Sequence, residues 1–169
     1  HKSSHSFPTR RSSDLRSARR HRDVRGVAPL PSFAFPTYPA RMPSRFPIDA
    51  IALTEALVAI DSRNPRLVPN APGEGECARF LAQVLSGWGF AVSLTDVAPG
   101  RPNVLARIGP TGSSPLVLNG HLDVVGTDGM IHAPFEPVSR GDQLFGRGST
   151  DMKGGVAAMC VAAARAATR

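Results

Sequence analysis

Apolar residues at 48, 51, 53, 57, 58 and 60 recur at helical spacing, with Pro47 suited to a first turn and Pro65 closing the run. This predicts an amphipathic helix over residues 48–60. A clearer stripe follows: Cys77, Phe80, Leu81, Val84, Leu85 and Trp88 fall on one helical face, and Gly87 and Gly89 supply the stop. Such a stripe reads as core. After Gly89 the period shortens to β-prone runs at 90–97, 103–108 and 116–119, separated by Pro-Gly and Gly-Pro turn signals. Residues 120–142 have few periodic positions, 143–145 read as a short strand, and 154–168 form an alanine-rich helix. The order helix, helix, strands, loop, helix indicates an α/β fold without internal repeats.

Residues 1–47 show no period of either kind. They are rich in Arg, Ser and Pro, and carry 10 Lys+Arg against 2 Asp+Glu, whereas residues 48–169 carry 10 against 11. The formal charge of +7 therefore belongs to the leader. Its composition predicts disorder. Arg10, Arg11, Arg16, Arg19, Arg20, Arg22 and Arg25 could neutralise phosphates, which keeps open a non-enzymatic, basic-tailed module that contacts nucleic acid. A signal peptide is excluded, because Pro29, Pro31, Pro36 and Pro39 interrupt the one apolar candidate. A stronger explanation is that residues 5–15, His-Ser-Phe-Pro-Thr-Arg-Arg-Ser-Ser-Asp-Leu, match one translated frame of a common sequencing adapter. On that reading the leader is artefactual at least to residue 15, its charge implies no nucleic-acid partner, and Met42 is a candidate start, with an unconventional start codon further upstream as the alternative.

Composition narrows the class further. Apolar runs are too short to span a bilayer, which excludes a membrane-spanning chain. Two cysteines among 169 residues cannot form a dense disulfide framework, so a reducing, cytoplasmic setting is expected. Cys77 and Cys160 lie on apolar helix faces and read as inert core thiols.

Two segments carry chemistry. The run Leu116-Val-Leu-Asn119 leads into Gly120-His121-Leu122-Asp123, where an extended chain points His121 and Asp123 to the same side. Asp123 could accept the second imidazole N–H and fix the tautomer, as beside a metal-bound histidine. Alone, the pair is a weak signal that more often describes a satisfied surface histidine. The second segment, Gly146-Arg-Gly-Ser-Thr-Asp151-Met-Lys-Gly-Gly155, is a glycine-dense turn entering a helix. Asp151 there reads either as a ligand or as an N-cap. No Gly-x-x-x-x-Gly-Lys-Ser/Thr is present, which excludes a phosphate loop of that type. His132 reads as a solvated loop residue, Arg147 and Lys153 as structural, and Glu74 and Glu76 as favourable charges near a helix start.

Taken together, Asn119-Gly-His-Leu-Asp-Val-Val125, Gly129-Met130 with Pro134-Phe-Glu-Pro137, and Leu144-Phe-Gly-Arg-Gly-Ser-Thr-Asp-Met-Lys-Gly-Gly-Val-Ala-Ala158 resemble the co-catalytic zinc peptidase and deacylase family. That family includes acetylornithine deacetylase, succinyl-diaminopimelate desuccinylase, aminoacylase and glutamate carboxypeptidase. The likeness extends more loosely through Ser62-Arg-Asn-Pro65 and Gly73-Glu-Gly-Glu76, covering residues 48–169.

The resemblance implies the N-terminal portion of a catalytic domain with a mixed β-sheet flanked by helices. It implies that His121 and Asp151 are metal ligands, Asp151 bridging two divalent ions (zinc or cobalt), that Asp123 orients His121 as part of the catalytic apparatus, and that the peptide after Asp151 is cis. The implied parent hydrolyses an amide of an N-acyl amino acid or small peptide with metal-activated water, and a homodimer fits it. The context of Gly129-Met130 and residues 134–137 favours the acetylornithine deacetylase-like branch. The family's general base and remaining ligands lie beyond residue 169, so the chain as given is expected to be inactive, with open sheet edges that favour aggregation.

Overall fold

The computed structural model describes residues 46–110, 112 and 114–168. The readings of a disordered leader, an adapter-like stretch and a start at Met42 fall on residues outside this set.

Helix α1 spans Ala50–Val58. It begins at Asp49, whose extended backbone leaves the helix while its carboxylate accepts the Ala52 N–H at 2.8 Å, satisfying one of the free amides of the first turn. The cap trims the expected helix by two residues, leaving Ile48 outside. Leu53, Thr54, Leu57 and Val58 are buried.

Helix α2, Gly75–Gly87, buries Cys77, Ala78, Leu81, Val84 and Leu85, the face the spacing predicts. Phe80 and Trp88 sit at its margin. Phe46 meets the Phe80 ring edge-on at 5.9 Å and its carbonyl accepts the Trp88 indole N–H at 3.0 Å. Glu74, at the start of α2, does more than complement a helix dipole: both carboxylate oxygens accept the Arg101 Nε–H, at 2.8 and 3.0 Å. This clamps α2 to the strand that follows, a contact across 27 residues that local sequence does not announce.

Strands β1 (Ala91–Ala98) and β2 (Arg101–Arg107) form an antiparallel hairpin whose register runs from Ala91–Arg107 to Ala98–Arg101, with an irregularity between Asp96 and Ala98. The Pro99-Gly100 turn joins them, Gly100 taking φ +73°. Helix α2 packs on both strands, and Val92, Val104 and Ala106 join the core.

Residues 116–119 do not form the expected strand. They bear the right residue types, but a strand exists only as half of a hydrogen-bonded ladder, and no described segment pairs with them. Leu116 and Val117 are accordingly 86% and 77% exposed. A second hairpin contains one strand that local pattern does not reveal: β3 (Val138–Arg140) pairs with β4 (Gln143–Phe145). All three β3 residues are exposed, so there is no apolar alternation to read.

Helix α3, Gly154–Ala166, buries Val156, Ala157, Val161 and Ala164 against α1. Leu53, Leu57, Cys77, Leu81, Val84, Leu85, Phe90, Val156, Ala157 and Ala164 form the shared core. The α/β class holds. Among the described residues, however, the sheets are two separate antiparallel pairs, and the parallel part of the expected mixed sheet is a single bridge between Arg63 and Val124.

Candidate metal centre

The Arg63–Val124 bridge positions the His121–Asp123 segment. Val124 N–H donates to Ser62 O at 3.0 Å and Asn64 N–H to Val124 O at 2.9 Å. The Ser62 hydroxyl, itself fully buried, donates to Leu122 O at 2.7 Å. The chain is thus held on both sides of Asp123 by residues some sixty positions earlier.

The second segment arrives through a wide helical turn, Ser149–Lys153, in which Asp151 and Met152 leave helical backbone angles and the Asp151–Met152 peptide is cis, as the resemblance implies. Gly148 opens the turn at φ +82°, and a Cβ there would stand 2.5 Å from Val124 Cγ1. Only glycine fits both demands. At the far end Lys153 turns inward and is fully buried. Its Nζ donates to Leu57 O at 2.7 Å and Ile60 O at 2.8 Å, supplying a cation to a carbonyl of the last turn of α1 and to one just beyond it. Burial pushes its ammonium below the usual lysine range, against the pull of Cys77 and Asp61.

These two placements bring His121 and Asp151 together. His121 Nε2 lies 3.1 Å from Asp151 Oδ1, in an open cleft of about 230 Å³ also lined by Asp123, Arg147, Gly148 and Thr150. His121 is half exposed and Asp151 86% exposed, so the pair faces solvent. On the other edge of the ring, Nδ1 lies 2.9 Å from the backbone carbonyl of Asp123, while the Asp123 carboxylate stands 3.6 Å away. The partner fixing the ring is therefore the main-chain oxygen. The carboxylate is turned toward Asn64, whose Nδ2 donates to Asp123 Oδ2 at 2.7 Å.

This arrangement has a direct electrostatic requirement. A carbonyl oxygen can only accept, so Nδ1 carries hydrogen, and a neutral imidazole then points its remaining lone pair at the Asp151 carboxylate. Two lone pairs at 3.1 Å repel unless a proton or a metal ion lies between them. Two ligand atoms about 2.0–2.1 Å from a tetrahedral zinc ion stand roughly 3.3 Å apart, so the observed separation suits a shared ion as well as a shared proton. The imidazole–carboxylate donor set fits a divalent metal. No group of three or more His, Cys, Asp or Glu side chains converges among the described residues, which supply two protein donors there.

The other polar residues separate cleanly. His132 is not a solvated loop residue: it meets Phe145 edge-on at 5.9 Å, and its Nε2 is buried with no hydrogen-bond partner among the described residues. The loop folds back onto β4, which half-buries the ring and keeps it out of the cleft lining. Arg147 lines the cleft, its N–H donating to Pro134 O at 2.7 Å and its Nε buried without a partner among the described residues. Burial raises the thiols of Cys77 and Cys160 to about 11, which leaves them protonated and unreactive at neutral pH. Sequence reasoning left Ser62 and Asn64 without roles. Their partners lie 60 and 59 residues away, and the only local hint was their place in the Ser62-Arg-Asn-Pro65 stretch.

Helices on a small β framework and a histidine facing a carboxylate across a glycine turn define a fragment of an α/β domain with a candidate metal cradle. Residues 117–169 match the model of peptidase family M20/M25/M40, a span that contains both halves of the cradle. The chain is 40% identical over 126 residues to a succinyl-diaminopimelate desuccinylase of Gluconobacter oxydans, covering 72% of this chain and 31% of that protein. It is 34% identical over 120 residues to an N-formyl-4-amino-5-aminomethyl-2-methylpyrimidine deformylase of Bacillus subtilis (68% and 27%). With a desuccinylase of Methylorubrum extorquens it shares 41% over 119 residues (66% and 29%). The chain belongs to peptidase family M20/M25/M40, and it spans about a third of the length of these curated relatives.

Proposed function

We propose that this chain is the metal-cradling portion of a hydrolase that removes a short acyl group from the nitrogen of an amino acid or similar small molecule. The observation that carries the reading is the 3.1 Å approach of His121 Nε2 to Asp151 Oδ1, two metal-ligating groups whose separation suits a shared divalent ion. The relatives named for removal of a succinyl and a formyl group support the substrate class, which also includes N-acetyl amino acids.

Each residue then has a defined task. His121 presents Nε2 as a neutral donor because Asp123 O accepts the proton on Nδ1. Asp151, on a turn fixed by Gly148 and Lys153, presents an exposed carboxylate able to hold one or two ions. Divalent zinc or cobalt, when bound, supplies Lewis acidity toward the scissile carbonyl and lowers the pKa of the attacking water. Asp123 keeps negative charge beside the ring and so favours its role as a ligand. No carboxylate other than Asp123 and Asp151 lines the cleft among the described residues, so none is placed to act as the base.

Titration of the 169-residue chain with Co²⁺, followed by visible absorbance, tests the reading. Binding is expected to be weak, because two protein donors leave most of the shell to water, and to weaken at least about tenfold in both His121→Ala and Asp151→Asn. A chain that takes up no Co²⁺, or both variants binding as the parent does, would sink the proposal. In parallel, no release of acid is expected from N-acetyl, N-succinyl or N-formyl amino acids. Turnover by the chain would show that the base is present after all.

A further inference from the structure

Within the Ser62-Arg-Asn-Pro65 stretch that anchors the His121–Asp123 segment, the Asn64 side chain reaches the Asp123 carboxylate itself. Its N–H donates to Val124 O at 2.9 Å, its Oδ1 accepts the Arg66 N–H at 2.9 Å, and its Nδ2 donates to Asp123 Oδ2 at 2.7 Å. The side-chain orientation is forced: reversing the amide would set oxygen against the Asp123 carboxylate and NH₂ against the Arg66 N–H. Pro65 adds a constraint of its own, since the residue before a proline is biased toward extended backbone.

We infer that Asn64 is a positioning residue for the metal centre, holding the Asp123 carboxylate in place behind the His121 ring. The inference rests on the metal reading above and deepens it. Asp123 Oδ1 stands 3.6 Å from Nδ1, too far for a directed hydrogen bond to set its angle, so the hold comes from the opposite side of the carboxylate. Asn64 provides it through Oδ2. With that anchor in place the carboxylate stays fixed next to the Nδ1–H edge, and the ring keeps Nε2 aimed at Asp151. Without it the carboxylate, which is part exposed, is free to swing toward solvent or to compete for the ring proton.

Asn64→Asp separates positioning from folding. It is isosteric and keeps an acceptor for the Arg66 N–H, but places oxygen against Asp123 Oδ2. Asn64→Ala removes the side chain altogether. Two readouts are taken on the full 169-residue chain, with far-UV circular dichroism as the check on folding: Co²⁺ affinity, and the ¹⁵N shifts of the His121 ring nitrogens without metal. The expected result is a Co²⁺ dissociation constant raised about tenfold or more, together with ring shifts displaced from the Nδ1–H pattern of the parent, at unchanged helical signal. Asn64→Asp with parental ring shifts and a Co²⁺ affinity within about twofold of the parent overturns the inference. If the parent itself binds no Co²⁺, the metal reading fails on its own. The ring shifts then decide Asn64 alone: displacement in Asn64→Asp upholds its hold on Asp123, and parental values remove it.

Discussion

Lys153 does at the scale of one residue what a helix cap does for a turn. Its ammonium reaches fully into the core and ends on two carbonyls, Leu57 O and Ile60 O. Lys153→Met fills the space but leaves both acceptors without their donor, which costs about 1–3 kcal/mol per unsatisfied group at the upper end. Urea unfolding is expected to show a loss of that order, and a midpoint unchanged from the parent would show that water replaces the ammonium freely. The buried thiols set a second expectation. Both are raised from 9.0 to about 11 by burial, so between these values the unfolded chain has lost protons that the folded chain retains. Stability from this source is full below pH 9 and falls as pH rises toward 11. Unfolding midpoints across that range, with Cys160→Ala as the comparison, check the sign: the parent is expected to lose more than the variant.

At the scale of elements, the turn Ser149–Lys153 depends on Gly148. An alanine there takes an unfavourable positive φ and drives its Cβ into Val124, the residue that pairs with Arg63. Gly148→Ala is expected to destabilise the chain by about 1–3 kcal/mol and to weaken Co²⁺ binding at the same time, because turn and bridge share the clash. Loss of one without the other, measured by urea unfolding and Co²⁺ titration on the same preparation, would separate turn from centre. These dependencies explain which elements could be read from sequence. Helix α2 and the β1–β2 hairpin were legible because their periodicity and turn signals are local. Residues 116–119 were not, because apolar β-prone residues record a tendency to pair and cannot say whether a partner is at hand. Strand β3 lay hidden for the opposite reason, being exposed on every residue. In the site, His121, Asp123 and Asp151 were legible through the family resemblance rather than by their own spacing, and the geometry brings all three to one cleft. The parts played by Ser62, Asn64 and Lys153 depend on contacts across 59 to 96 residues that no local pattern encodes, while the choice of the Asp123 main-chain carbonyl over its carboxylate as the acceptor for Nδ1, two residues away, turns on backbone direction.

For the molecule as a whole, the apolar run Leu116-Val-Leu118 is the main liability. It is exposed, carries no charge, and offers main-chain donors and acceptors that no described strand takes up, the combination that promotes edge-to-edge pairing between chains. Concentration-dependent association is expected by light scattering. Val117→Lys, which puts a charge in the middle of the run, is expected to reduce it without altering the helical signal. Equal scattering from both chains would point to another surface.

The single bridge between Arg63 and Val124 also orders events in time. Everything from α2 through β2 is contiguous in the chain and can form by closing short loops, whereas the cradle waits for residues about sixty positions apart to meet. The entropy of closing a loop grows with its length, and distant pairings slow folding. In pulse-labelled hydrogen exchange, amides of α2 and the first hairpin are expected to become protected before those of Asn64 and Val124, and simultaneous protection would contradict this. A chain released from refolding too early would carry a finished scaffold and no place for an ion.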